Sequence, residues 1–447
     1  MPDITPVTAF MSPLDRRPVE GRFDVSAMTS DAGVLWLAEI ERKFAISDAL
    51  AACVHDRRDP ARVIHGIADM LRFRMLAIAA GYEDGNDCDV LRHDPAFKLA
   101  LGNLPEAGPA LCSQPSMSRL ENMPGKREVA RMMGVQVDLF CQAFSQSPRD
   151  IVLDIDDTPD PVHGGQQMAL FNGYRGVTCF LPMHIYEANT GLPVAVIFRD
   201  GRPPKGTEVR TIIKHLIKRI RRHWPNVNIL IRGDGHYSRP EAIDWMEDNG
   251  VDYILGLSTN ATLKKVTRDL AEDVAVRRAV SQSEALRRYQ TFSYQAGSWS
   301  RERRVIARIE ASSWRGINCR FIVTSLDGRA KHLYEKLYCA RGQAENLIFA
   351  HKVLLASDRT SCSSPVANQF RIILHTAAFL LLHHLRAALP KRSLWRNKRF
   401  DTIRLGLIKI AALIEEKRTR IIVRLPQACP ARHTLKAAAM NIIPAPP

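Results

Sequence analysis

The chain has 447 residues, 46% of them hydrophobic and 25% charged, a globular composition too long for a single ordinary domain. Its net charge of +16 and pI near 9.6 point to a polyanionic partner, either nucleic acid or an anionic surface. The longest apolar stretch, 372–382, is broken by His375 and Thr376, short of the roughly 20 residues that cross a bilayer, so a core helix is expected there and no membrane role.

In chain order, residues 1–25 are Pro-rich and polar, and little order is expected of them. Residues 26–147 read as mostly helical: VLWLAEIERKF and PARVIHGIADMLRFRMLAIAAGY repeat apolar residues at three- and four-residue steps. Asp59-Pro60 resembles a helix start. This stretch is a candidate for holding DNA ends, with simple helical packing as the alternative. From 148 to 261 the pattern predicts strands at 151–157, 177–187 and 192–198, a helix at 208–223, a strand at 227–233, a helix at 239–249 and a strand at 251–257. The 208–223 helix has a clean apolar stripe of Val209, Ile212, Ile213, Leu216, Ile217 and Ile220. Residues 262–330 contain alternating segments and are expected to form an all-β insertion. Core helix returns at 331–365, and 366–447 is expected to be mainly helical, with helices at 368–385 and 402–414 and a late strand in TRIIVRL.

The chemistry concentrates at three places. The segment 338–352, YCARGQAENLIFAHK, spaces Tyr338, Arg341, Glu345 and Lys352 as Y-x2-R-x3-E-x6-K. At about 100° per residue these four fall within roughly 60° of one another on a helix, while Leu347 lies opposite and Ile348 at the edge of their face. A carboxylate between two cations beside a phenol can hold a metal next to phosphate oxygens. Upstream, IVLDIDDT (151–158) and NILIRGDG (228–235) each end a short apolar strand in aspartate. Two strand-end aspartates and a helix glutamate suit two hard divalent cations about 4 Å apart around a phosphate. Asp156 is preferred as the first ligand; Asp157, on the other strand face, is the alternative register, and Asp154, on the same face, is a possible helper. Asp234, between two glycines, is the second, and Glu345 the third. His236 and Tyr237 could orient water or phosphate, or be plain turn residues. Gln166, Asn172, Tyr174 and Arg175 are expected to shape the DNA-facing side of the sheet. Trp299 and Trp314 could stack on an extruded base or fill the core. The fourteen histidines and nine scattered cysteines show no zinc spacing, no C-x2-C pair and no disulfide framework.

Taken together, Y-x2-R-x3-E-x6-K, DIDDT, GQQMALFNGYRG, LIRGDGHYSRPE, YILGLSTN and the upstream GYEDGNDCDVLRHDPAF and SRLEN resemble, in the same order, insertion-sequence transposases of the cut-and-paste DDE class. The resemblance implies an α/β, RNase H-like mixed-sheet core with a β insertion, and the predicted element order agrees with it. It implies Mg2+ as cofactor, with Mn2+ able to substitute, held by Asp156, Asp234 and Glu345. It implies that Tyr338, Arg341 and Lys352 contact DNA phosphates. The expected partners are double-stranded DNA, namely the element's terminal inverted repeats and target DNA, and a second copy of the chain in a homodimeric synapse. The opening residues lack the charged and apolar segments of a secretory signal, so the bacterial cytosol and nucleoid are the expected location. An endonuclease without strand transfer, or a catalytically silent DNA-binding relative, are the alternatives.

Overall fold

The computed structural model describes residues 8–22, 24–162, 164–173, 176–281 and 283–442. The chain forms two compact units, one from 1–43, 64–117 and 384–447, the other from 44–63 and 118–383. The helical stretch expected over 26–147 is therefore divided between them.

In the first unit, Thr8–Leu14 and Arg17–Arg22 pair antiparallel around a two-residue turn in which Asp15 and Arg16 both have positive φ. That is the twist-matched hairpin turn. The described part of the stretch expected to lack order is thus a hairpin. Helix Ile67–Ala80 is buried along most of its length, including Arg74, whose guanidinium donates to the carbonyls of Tyr82, Glu83 and Asp84. The helix predicted over 402–414 ends earlier. Lys409 leaves helical geometry, and its ammonium pairs at 2.7 Å with buried Asp31. The chain then forms strands Ala412–Lys417 and Arg420–Arg424, which join Met28–Thr29 in a three-stranded sheet. The C-terminal region is thus helix, hairpin and helix, the last being Arg432–Ile442.

The second unit is built on an eight-stranded mixed sheet. Its strands are β1 (Asp150–Asp157), β2 (Met183–Glu187), β3 (Pro193–Ile197), β4 (Asn228–Gly233), β5 (Asp252–Leu257), β6 (Ala285–Tyr294), β7 (Arg303–Ser312) and β8 (Gly316–Thr324), in spatial order β6-β7-β8-β5-β4-β1-β2-β3. Strands β1, β4 and β5 are parallel; the others join antiparallel. Strand β1 alternates: Ile151, Leu153 and Ile155 are buried on one face while Asp154 and Asp156 point to the other. Helix α1 (Gly206–His223) buries Val209, Ile213, Leu216, Ile217 and Ile220 as its stripe predicts, each worth about 1.5–3 kcal/mol when fully buried. Its Glu208 folds back onto the Lys205 amide at the N-terminus.

Two expectations need correction. The strand predicted over 177–187 breaks at Leu181-Pro182, because proline has no N–H for a ladder. Val177–Phe180 instead joins Asp160–Pro161 and Leu170–Asn172 in a separate small sheet. The insertion is not all-β: it opens with helices Ala261–Val266 and α2 (Arg268–Ser281). Asn260 caps the first by accepting from the Leu263 amide, and Ala271 and Val274 of α2 are buried. Its strands β6 to β8 extend the main sheet, since β8 pairs with β5 from Thr324 opposite Ile254.

After β8 a helical run covers 330–354. It is not one regular α-helix. It passes from π geometry at Leu333–Tyr338 to 3₁₀ at Cys339–Gly342, α at Gln343–Phe349 and π again at Ala350–Leu354. Such π turns often accompany functional sites. Helix Pro365–Ala388 follows. It is long and apolar enough to cross a membrane, which the interrupted run 372–382 did not suggest, yet 83% of its apolar window is buried within the protein.

Candidate active site

Parallel pairing of β1 with β4 sets Gly233 opposite Ile155, so the next residues, Asp234 and Asp156, emerge side by side at the carboxyl ends of neighbouring strands. Such ends are where open α/β sheets place ligands. Asp156 Oδ2 accepts from Arg341 Nη1 at 2.7 Å, and Oδ1 accepts from the Asp157 amide at 3.0 Å. Burial pushes the Asp156 carboxyl up to about 6; Arg341 opposes that rise, while the Asp234 and Asp157 carboxylates add to it. Asp234 Oδ1 accepts from the His236 amide at 2.9 Å.

The two neighbours of Asp156 have other partners. Asp154, 1% exposed, is gripped through both oxygens by Arg232 of β4 at 2.6 and 2.7 Å. Arg232 also donates to the Leu337 carbonyl at 2.8 Å, so this buried pair ties β1, β4 and the helical run together. Asp154, expected as a possible helper, has both its oxygens paired with Arg232 here. Asp157 points to the opposite face, where its Oδ2 lies 3.0 Å from His236 Nδ1 and accepts from Tyr237 Oη at 3.3 Å. That hydrogen bond raises the His236 pKa. Tyr237 is fully buried, so of the two residues only His236 reaches solvent.

The helical run crosses the ends of these strands. Tyr338 packs on Tyr334, ring centroids 5.5 Å apart, and its pKa is raised by burial. Its hydroxyl reaches the backbone of β5: a Cβ at Gly256 would stand 2.8 Å from Tyr338 Oη, 2.9 Å from the Gly235 nitrogen and 3.1 Å from the Asp234 carbonyl carbon. Arg341 follows, its guanidinium 6.0 Å from the Tyr338 ring centre. Glu345 is exposed, one turn beyond Arg341 in the α-helical segment. Lys352 sits past the end of β1, its Nζ bonded to the Pro159 carbonyl and 3.5 Å from an oxygen of buried Asp160. Burial pushes the Asp160 carboxyl up to about 7 even with Lys352 opposing it. The neighbouring His351 bonds Ser357 Oγ at 2.7 Å and Thr376 Oγ1 at 3.0 Å and is kept neutral by burial, its pKa about 3.

The structure therefore gathers Asp156, Asp234, Tyr338 and Arg341 into one place and leaves Glu345 exposed nearby on the same helical run. Among the described residues, no group of three or more His, Cys, Asp or Glu is arranged to hold a metal ion. The donor chemistry suits a hard cation in two paired carboxylates, with Glu345 as the candidate third. Sequence reasoning missed Gly256 and His351. Gly256 had a signal, a glycine inside the apolar run YILGL; His351 had none.

Other expectations move. Gln166 Nε2 donates to the Thr360 carbonyl, and Asn172 Nδ2 donates to that of Gly201 at 2.9 Å, the latter in the small sheet. Tyr174 and Arg175 lie outside the described residues. Trp299 is buried, edge-on to Tyr294 and under Arg303, so core packing describes it. Trp314 is 68% exposed at the β7–β8 turn beside Arg315.

A family model described as transposase DDE domain group 1 matches residues 11–447. The chain belongs to this transposase family. No curated protein matches it. Among solved structures it is similar to a piggyBac transposase synaptic complex with hairpin DNA, at 13% identity and a TM-score of 0.40, over 85% of this chain and 80% of that one.

Proposed function

We propose that this transposase binds the terminal inverted repeats of its own element and catalyses divalent-metal-dependent cleavage and strand transfer on an RNase H-like core. The observation that carries the reading is the in-register placement of Asp156 and Asp234, with Arg341 against them. Asp156, Asp234 and Glu345 would hold Mg2+, or Mn2+ in its place. When bound, the metal supplies Lewis-acid stabilisation of charge at the attacked phosphate. Tyr338 and Arg341 would position the DNA end: the guanidinium offers a planar fork that matches a phosphate, and the Tyr338 ring backs it. Lys352, held by Asp160, would present a second positive charge next to the strand end. The net charge of +16 supports a DNA partner through release of counterions. The working form would be a homodimer pairing two ends, in the cytosol.

The test incubates the protein with a duplex copied from the DNA flanking its gene, in Mg2+, and maps strand breaks at nucleotide resolution. Asp156→Asn, Asp234→Asn and Glu345→Gln should each slow cleavage at least about a hundredfold, consistent with loss of several kcal/mol of charge stabilisation. Their affinity for the duplex should stay within a few-fold. If Asp157→Asn abolishes cleavage and Asp156→Asn does not, the first ligand is Asp157.

A further inference from the structure

We propose that Arg341 gates the metal site: it occupies Asp156 until a DNA phosphate draws it away, so end DNA and divalent metal raise each other's affinity. The inference rests on the reading of Asp156 and Asp234 as metal ligands. Both oxygens of Asp156 are committed in the free protein, Oδ2 to Arg341 at 2.7 Å and Oδ1 to the Asp157 amide at 3.0 Å. Asp234 has one oxygen committed, to the His236 amide. A cation bonded to a ligand oxygen repels a divalent ion from it, so the metal must compete with Arg341 for Asp156.

The guanidinium is only half used. Its bond to Asp156 is through Nη1 alone, and among the described residues its other nitrogens make no hydrogen bond, the guanidinium otherwise only facing the Tyr338 ring. The side chain is 18% exposed, so those nitrogens can meet a phosphate from solvent. A phosphodiester offers two oxygens to a fork that the carboxylate engages singly, a more favourable geometry for arginine. Lys352 shows the same inward turn, onto Pro159 and Asp160. The free protein thus neutralises its phosphate-binding cations on its own acids. By linkage, whatever DNA does to metal affinity the metal does to DNA affinity.

The experiment measures Mn2+ binding by electron paramagnetic resonance, with and without a pre-cleaved end duplex that has no bond left to cut. In the wild type the duplex should raise Mn2+ affinity. Arg341→Ala should raise the Mn2+ affinity of the free protein about tenfold or more, within the usual range of coupling between sites. It should shrink the enhancement by duplex by the same factor. Arg341→Gln, which keeps length and hydrogen bonding without the charge, should act alike and serves if the alanine variant misfolds. Unchanged or weaker Mn2+ binding in both variants would overturn the proposal. So would tighter binding with an undiminished enhancement, since that reports charge acting through space. Asp156→Asn and Asp234→Asn separate the two levels: if neither weakens Mn2+ binding, the metal assignment fails, whereas if both do and Arg341 has no effect, only the gate fails.

Discussion

Gly256→Ala probes the site without touching a proposed ligand. The added methyl would meet Tyr338 Oη at 2.8 Å, the Gly235 nitrogen at 2.9 Å and the Asp234 carbonyl carbon at 3.1 Å. Carbon atoms do not sit that close, so something must shift by several tenths of an ångström. The Tyr338 hydroxyl can swing, but the other two contacts are backbone on either side of the Asp234–Gly235 peptide. Overpacking of this kind costs about 1–3 kcal/mol. A displacement near 1 Å at a reacting centre is worth about a hundredfold, so a smaller one here should slow end cleavage roughly tenfold. The assay is single-turnover cleavage of an end duplex beside a thermal melt. Gly256→Ala should lose activity and melt a few degrees lower. Adding Tyr338→Phe removes the 2.8 Å contact and leaves the two backbone ones, so it should recover part of the stability and little of the rate. Wild-type cleavage by Gly256→Ala would show that the Asp234 backbone need not sit where the structure has it.

Asp154→Asn leaves Arg232 buried beside a neutral partner and should destabilise the protein by about 3–5 kcal/mol in denaturant melts, while Asp154→Leu with Arg232→Met should recover much of it; loss of cleavage at unchanged stability would return Asp154 to the metal site. The Asp156 carboxyl is raised to about 6, so its proton competes with metal below that pH. Mn2+ affinity of the free protein should therefore fall by up to about tenfold per unit as pH drops from 6 towards 5 and flatten above 7. Lys352→Ala removes the cation that opposes protonation of buried Asp160, so Asp160 takes up a proton on folding and the melting temperature should fall more at pH 8 than at pH 6, whereas Arg341→Ala, beside a partly exposed partner, should lower it little. His351→Ala leaves the Ser357 hydroxyl without its partner, while Thr376 keeps its bond to the Ile372 carbonyl, so about 1–3 kcal/mol should be lost for the one stranded group; an unchanged melt would contradict that packing.

Much of the site was legible because its signals are local. An apolar strand ending in aspartate needs only alternation to be recognised, and β1 and β4 confirm it within a residue. The amphipathic stripe of α1 was likewise readable. What spacing could not show was the partner of each acid. Asp154 and Asp156 point the same way, yet Arg232 stands opposite Asp154 in the adjacent strand, and only that register separates their roles. The helical projection of Tyr338, Arg341, Glu345 and Lys352 assumed 3.6 residues per turn, whereas the run changes geometry three times, so which atoms they touch had to come from the fold. The helices at 261–281 were hidden by the alternating strands after them, and the residue that follows helix 400–408, Lys409, pairs with Asp31, far away in sequence.

The central claim is that Asp156 and Asp234 bind the catalytic metal together. Its most direct test replaces each with cysteine and compares end cleavage in Mg2+ and in Mn2+, because a thiolate is a poor ligand for Mg2+ and a better one for the softer ion. Asp156→Cys and Asp234→Cys should be inactive in Mg2+ and regain measurable cleavage at the same phosphate in Mn2+, with Asp154→Cys showing no such switch. Full activity of either variant in Mg2+, or rescue by Mn2+ at Asp157→Cys and not at Asp156→Cys, would contradict the assignment.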